Sequence, residues 1–268
     1  MLVIPALSPV AFNLFGFPIY WYGIIMAIAI FVAAFVGNKL FNQINPELKK
    51  DTIISIAPFL IVGGILGARL YFCMLNHSYY LSHPLEILDI REGGLSIHGA
   101  LIFGIIALLV WAWKKKISAL KILDALACTV FLGQALGRWG NYFNSEAYGL
   151  PVKSQNWGLY IPETSRVAQF SDYSLFHPAF LYESILDLFG FTVLLYVLKK
   201  FGRKHLGLVF SLYLVLYALI RFAIEQVRVD SALNIGTFPI AQLVSILMLF
   251  CGVGGLFIVF VRDKFKLK

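Results

Sequence analysis

Seven stretches of about 20 predominantly apolar residues run through this chain, and that is the length an α-helix needs to cross the hydrocarbon core of a bilayer. They lie at about 19–40, 52–75, 95–113, 118–137, 178–198, 206–227 and 239–261. Only 13% of the 268 residues are charged, against about 25% in an ordinary soluble domain, so the chain cannot coat a soluble particle. The 60% hydrophobic content excludes disorder, and three cysteines exclude a disulfide-built scaffold. The expectation is an all-α polytopic membrane protein, a single integral membrane domain over 1–268.

The first 38 residues carry no charge, but Pro5, Pro9 and Pro18 break up their early part. The first helix is therefore placed from about Ile19. A cleavable signal peptide needs a basic n-region; this N-terminus has none and is expected to be retained. Joining the spans in order puts 15 of the 22 Lys and Arg residues on one side. These are Lys39, Lys49, Lys50, Lys114, Lys115, Lys116, Lys121, Lys199, Lys200, Arg203, Lys204, Arg262, Lys264, Lys266 and Lys268. The other side holds Arg91, Arg138, Lys153, Arg166 and Arg228. Cytoplasmic loops collect basic residues, so the N-terminus is expected outside and the C-terminus in the cytoplasm. The same rule explains the net charge of +8 without a nucleic-acid partner. Segment 138–177 is polar, aromatic and punctuated by Gly149, Pro151, Gly158 and Pro162. It is expected to form an external cap between the fourth and fifth spans.

Ionisable residues inside a membrane are costly and mark function by default. Tyr217, Arg221 and Glu225 are spaced i, i+4, i+8 and share an arc of roughly 80° on a helix, so Arg221 and Glu225 can pair. The plainer reading is an ion pair that locks two helices together. Arg69 is expected either to snorkel or to pair with a carboxylate such as Glu183 or Asp187. From Gly137 to Gly149 the chain breaks out of the fourth span, and Arg138 supplies a guanidinium fork suited to phosphate. Asn141, Asn144 and Glu146 can orient that arginine or bind hydroxyls. At 91–100, His98 stands between glycines that leave its ring accessible, after Arg91 and Glu92. Tyr22 lies in Tyr20-Trp21-Tyr22-Gly23, which an aromatic belt would also explain. His177-Pro178 through Tyr182-Glu183 opens the fifth span with a similar polar group. Under the expected topology each of these groups sits at the external end of its helix. There is no CxxC and no Cys/His cluster with ligand spacing, so neither metal nor cofactor is expected.

The sequence G-R-W-G-N-Y-F-N-S-E-A-Y-G at 137–149 resembles the G-R-x-G-N-F-x-N-x-E-x-x-G signature of the bacterial prolipoprotein diacylglyceryl transferases. W-Y-G at 21–23, G-G-L-S-I-H-G at 93–99, H-P-A-F-L-Y-E at 177–183 and Y-A-L-I-R-F-A-I-E at 217–225 follow in family order and extend the likeness over nearly the whole chain. Tyr142 stands where the family usually has Phe, and Ala100 where a second glycine often follows the histidine. The resemblance implies an inner-membrane enzyme that moves a diacylglyceryl group from phosphatidylglycerol to the lipobox cysteine thiol of a prolipoprotein signal peptide. It also implies that Tyr22, His98, Arg138, Asn141, Glu146, Gly149, Tyr217 and Arg221 matter to that reaction. Arg138 and Arg221 are then expected to hold the phosphate, with Asn144 and Glu225 beside them. His98 is expected to take the thiol proton; the alternative is that it only positions the headgroup.

A lipid or ion transporter would need polar residues in both halves of the membrane, whereas these cluster at one end. An intramembrane hydrolase would need a signature such as G-x-S-x-G or H-E-x-x-H, and neither occurs.

Overall fold

The computed structural model describes residues 2–89, 93–154, 156–229, 234–235 and 238–266. Arg91, Glu92 and Lys268 lie outside these described residues. Among the described residues seven helices are long and apolar enough to cross a membrane: α1 (Trp21–Ile44), α2 (Thr52–Leu75), α4 (Ile97–Lys115), α5 (Ala119–Phe143), α6 (Ala179–Phe201), α7 (Leu208–Glu225) and α8 (Ile240–Lys266). The protein is a multi-pass membrane protein. A short helix, α3 (His77–Ser82), and a 3-10 turn at Pro84–Leu88 follow α2. The described residues also form strands β1 (Leu2–Ile4), β2 (Val10–Leu14), β3 (Phe17–Tyr20), β4 (Trp157–Tyr160), β5 (Leu175–Phe176), β6 (Asn234–Ile235) and β7 (Phe238–Pro239).

The chain divides into two compact units, Met1–Gly37 with Leu123–Lys268, and Asn38–Ile122. In the second, α2 packs on α4 through small residues. Gly63 and Gly67, one turn apart, leave room for Ala107 and for Phe103 and the Gly99 carbonyl. Glycines spaced four apart let membrane helices approach backbone to backbone. Pro58 lies within α2, and membrane helices tolerate such a break when neighbouring groups satisfy the freed carbonyl.

In the first unit α7 packs against both α6 and α8. Gly252 and Gly255 of α8 lie against Val215 and Ser211 of α7, and Gly190 of α6 lies on the Phe131 ring of α5. At one end of these helices the fully buried Asp124 of α5 accepts the N–H groups of Gly207 and Phe210, at 2.7 and 2.8 Å. These are orphan donors of the first turn of α7, so the acid caps a helix. Nearby, His205 meets Asp263 at 2.6 Å and Arg262 donates to the Leu206 carbonyl at 2.8 Å.

The opposite end carries the cap. β1 pairs in parallel with β4, and β4 pairs antiparallel with β5. Leu159, Ile161, Phe176 and Tyr148 form its core with Tyr142 and Phe180 of the helices below. The Tyr148 hydroxyl donates to the Ser165 carbonyl at 2.9 Å and accepts the Val167 N–H at 2.8 Å. The proline-broken N-terminus is not irregular. β2 and β3 make a hairpin whose two-residue turn, Phe15-Gly16, has positive φ at both positions (51° and 85°), as the twist of a two-residue hairpin requires. The fourth span departs most from its expected end at 137: α5 continues six residues further, to Phe143. The helix can carry Arg138 and Asn141 inside because both are paired there.

Candidate active site

Most of the polar residues picked out above converge at the cap end of the first unit. α5 brings Gln134, Arg138 and Asn141; α6 brings Glu183; α7 brings Tyr217, Arg221 and Glu225. Glu183, 1% exposed, is the hub. Its Oε1 accepts from Arg138 Nη2 at 2.5 Å and lies 4.0 Å from Arg221 Nη1. Arg221 Nη2 pairs with Glu225 Oε2 at 2.7 Å, the expected i,i+4 ion pair. On the other side Arg138 Nη1 reaches Asn141 Oδ1 at 3.5 Å, and Asn141 Nδ2 donates to Glu146 Oε1 at 2.9 Å. Asn144 Nδ2 donates to the same oxygen at 3.2 Å. One chain of polar contacts therefore runs from Glu146 to Glu225 across three helices.

The turn that aims Glu146 is strained. Ser145 and Ala147, on either side of it, have φ of 54° and 56°. The left-handed region costs a non-glycine residue about 1–2 kcal/mol. The cap core offsets this by burying Ala147 and Tyr148, each 1% exposed. The Glu146 N–H closes the turn on the Asn141 carbonyl at 3.0 Å.

Tyr22 joins the site through Gly140: a Cβ on that glycine would come within 2.7 Å of the Tyr22 ring. Tyr217 stacks on Tyr213, with ring centroids 5.8 Å apart. Gly149 is held by main chain. Its N–H donates to the His177 carbonyl at 2.8 Å, the next N–H donates to the Val227 carbonyl at 2.8 Å, and a Cβ would meet His177 and Val227 within 3 Å. It ties the cap to the start of α6 and the end of α7. His98 stands in the other unit, at the start of α4, with its ring 6.3 Å from that of Tyr71.

Of the two expectations for Arg69, the pairing with Glu183 or Asp187 is not found among the described residues. Its guanidinium serves main-chain carbonyls of the second unit, while Glu183 engages Arg138 and Arg221. The acidic pair Glu183 and Asp187, spaced i, i+4 in an apolar span, is the signal that marks the hub; attributing it to Arg69 hid its role. Gln134 carried no comparable signal.

Several buried polar atoms here have no hydrogen-bond partner among the described residues: Arg138 Nε, Arg221 Nη1, Glu183 Oε2, both Asp187 oxygens and Gln134 Oε1. Two guanidiniums beside one carboxylate, each with a buried nitrogen that makes no hydrogen bond, have the chemistry to donate to a tetrahedral oxyanion. No group of three or more His, Cys, Asp or Glu is placed to hold a metal ion, among the described residues.

The family model described as prolipoprotein diacylglyceryl transferase matches residues 9–258. The chain belongs to the prolipoprotein diacylglyceryl transferase family. A phosphatidylglycerol--prolipoprotein diacylglyceryl transferase of Synechocystis is 40% identical over 96% of this chain and 91% of its own length. Proteins of the same name from Clostridium novyi and Staphylococcus saprophyticus are 40% and 38% identical, over 92% and 94% of this chain and 94% and 90% of theirs. In this family member the arginine pair and the strained Glu146 turn are built by segments that carry the sequence signatures, while the cap strands β1, β4 and β5 lie outside them.

Proposed function

We propose that this protein transfers the diacylglyceryl group of phosphatidylglycerol to the thiol of a lipobox cysteine in a prolipoprotein signal peptide. The reading is carried by one observation: Arg138 donates to a Glu183 oxygen that Arg221 Nη1 faces at 4.0 Å, and Arg138 Nε and Arg221 Nη1 are both buried without a hydrogen bond. A phosphodiester is the matching ligand, since its two free oxygens can take donors from two forks at once.

The chemistry follows from the bonds exchanged. The thiolate sulfur attacks the glyceryl carbon that bears the phosphate ester oxygen. The C–O bond breaks, a C–S bond forms, and the electron pair leaves on glycerol phosphate. Arg138 and Arg221 stabilise that developing charge as donors already in place. Asn141 and Glu146 orient Arg138, and Glu225 orients Arg221. A thiol has a pKa of about 8.5 in water, and the thiolate is the nucleophile, so its proton needs an acceptor. His98 is assigned that role, because an imidazole accepts and returns protons near neutrality.

In this reading the enzyme sits in the bacterial cytoplasmic membrane with its N-terminus and cap outside and its C-terminus in the cytoplasm. The 15-to-5 division of loop charges supports that orientation. The transporter alternative loses ground at the other end of the first unit. There Asp124 is spent on capping α7, and Asp263 on His205 and Arg262. The deciding experiment incubates the purified protein with phosphatidylglycerol vesicles and a lipobox peptide. A thioether-linked diacylglyceryl adduct and stoichiometric glycerol phosphate are expected; absence of both would sink the proposal.

A further inference from the structure

We infer that Arg69 is a positioning residue for His98, which it fixes by clamping the irregular backbone that leads into α4. The inference rests on the proposed role of His98. Arg69 is 7% exposed and stands near the end of α2. Its Nε donates to the Ile87 carbonyl at 2.9 Å and its Nη2 to the Glu86 carbonyl. Its Nη1 donates to the Gly93 and Gly94 carbonyls at 3.3 and 3.1 Å. The guanidinium carbon lies 5.1 Å from the centre of the Tyr80 ring.

Irregular backbone beside membrane helices must find its hydrogen-bond partners within the protein. A guanidinium carries five N–H donors in a rigid fork, so one side chain can serve two separate stretches, 86–87 and 93–94, and tie both to α2. Gly94 has φ of 71°, and a Cβ on it would collide with Arg69 Nη1, so the guanidinium lies directly against this main chain. The grip continues along α2. The Ser96 N–H donates to the Ala68 carbonyl at 3.0 Å, and Gly99 packs on the Gly67 main chain. Three consecutive residues of α2 thus hold the chain at 94, 96 and 99. His98 falls between the last two grips, and they set the direction in which its ring leaves α4. Without the guanidinium the Ile87, Gly93 and Gly94 carbonyls lose this donor, Glu86 keeps only the Asp89 N–H, and the first turn of α4 is free to shift. A misplacement of about 1 Å can cost a reaction about 100-fold. Lysine, a point charge on a flexible stem, cannot span both stretches.

The test uses purified full-length protein, phosphatidylglycerol vesicles and a lipobox peptide, with Arg69→Gln, Arg69→Lys, His98→Gln and the Arg69→Gln/His98→Gln double variant. Arg69→Gln should lower kcat about 100-fold with little change in the KM for phosphatidylglycerol, and Arg69→Lys should not restore it. The double variant should be no slower than His98→Gln alone, because the side chain being positioned is already gone. Should Arg69→Gln fail to fold, Gly94→Ala, which pushes on the same guanidinium, carries the test with the same non-additivity expected. Losses that multiply in the double variant, or wild-type turnover in Arg69→Gln or Gly94→Ala, overturn the inference and leave the role of His98 standing. Normal turnover in His98→Gln overturns both.

Discussion

Arg138 and Glu183 meet at 2.5 Å across 45 positions of sequence. The contact joins the end of α5 to the start of α6 in a buried setting, with the carboxylate side chain 1% exposed and the guanidinium 19%. The same carboxylate oxygen faces Arg221 at 4.0 Å, so this one pair organises both cations of the site.

Glu183→Ala should therefore damage the fold as well as the activity. Removing one member of a buried pair leaves a charge uncompensated, at a cost of about 3–5 kcal/mol. Glu183→Gln keeps the shape and one acceptor and should lose less stability. Thermal unfolding in detergent, run beside transfer assays, checks both. An alanine variant as stable as wild type would remove Glu183 from the centre of the network.

Arg138→Lys and Arg221→Lys test the phosphate assignment. Each arginine hydrogen-bonds a carboxylate through Nη2 and has another buried nitrogen, Arg138 Nε or Arg221 Nη1, that makes no hydrogen bond among the described residues. Lysine cannot divide its donors in that geometry. Losing one such donor to a developing oxyanion costs about 100-fold or more in kcat. Near-normal turnover in both variants would show that the arginines only hold the helices together.

Much of this was legible in the chain. Seven apolar runs of spanning length specify seven helices because a bilayer leaves main chain no alternative partner. The i,i+4 spacing of Arg221 and Glu225 specifies their pairing, and the structure has it at 2.7 Å. What spacing could not supply was partner choice between helices. Glu183 and Asp187 declare a buried acidic face, but only packing assigns it to Arg138 and Arg221 rather than to Arg69. The hairpin of β2 and β3 was hidden by its prolines. Pro18 sits in a two-stranded ribbon, where each strand is an edge and a missing N–H is tolerated. The end of α5 lies beyond its expected place because Gly137, Gly140 and Arg138, taken by residue type alone, are helix breakers and solvent-seekers. Gly140 instead admits the Tyr22 ring, and Arg138 is paired in place.

Gly149 separates a packing role from a binding one. A Cβ there would meet His177 at 2.8 Å and Val227 at 2.9 Å, and overpacking of this kind costs about 1–3 kcal/mol. Gly149→Ala should lower the thermal midpoint and the specific activity together, with the KM for phosphatidylglycerol little changed. A raised KM with an unchanged midpoint would instead put this glycine in contact with lipid.

Gly140→Ala should act through Tyr22. The added methyl falls 2.7 Å from the tyrosine ring, so the ring must swing away from α5, while α5 itself gains a better helix former. Activity should fall although stability does not, and Tyr22→Phe/Gly140→Ala should be no slower than the slower single variant. Independent losses in the double variant would place Gly140 in some other role.

Asp187 tests whether stability has been given up for function. It is fully buried, one turn along α6 from Glu183, and neither of its oxygens has a hydrogen-bond partner among the described residues. With Glu146, Glu183 and Glu225 it makes four acidic side chains in a cluster with two arginines. A buried polar group without a partner costs about 1–3 kcal/mol, and an apolar replacement of similar shape removes that cost. Asp187→Val should therefore raise the thermal midpoint in detergent. Activity should move the other way, because the carboxyl keeps a polar group beside Glu183 and the two arginines; Asp187→Asn, which keeps both shape and polarity, should fall between the two. Groups that burden the folded state are commonly kept where the chemistry requires them. A variant that is both more stable and fully active would make Asp187 a passive feature of α6, and one with a lower midpoint would show that the carboxyl supports the fold.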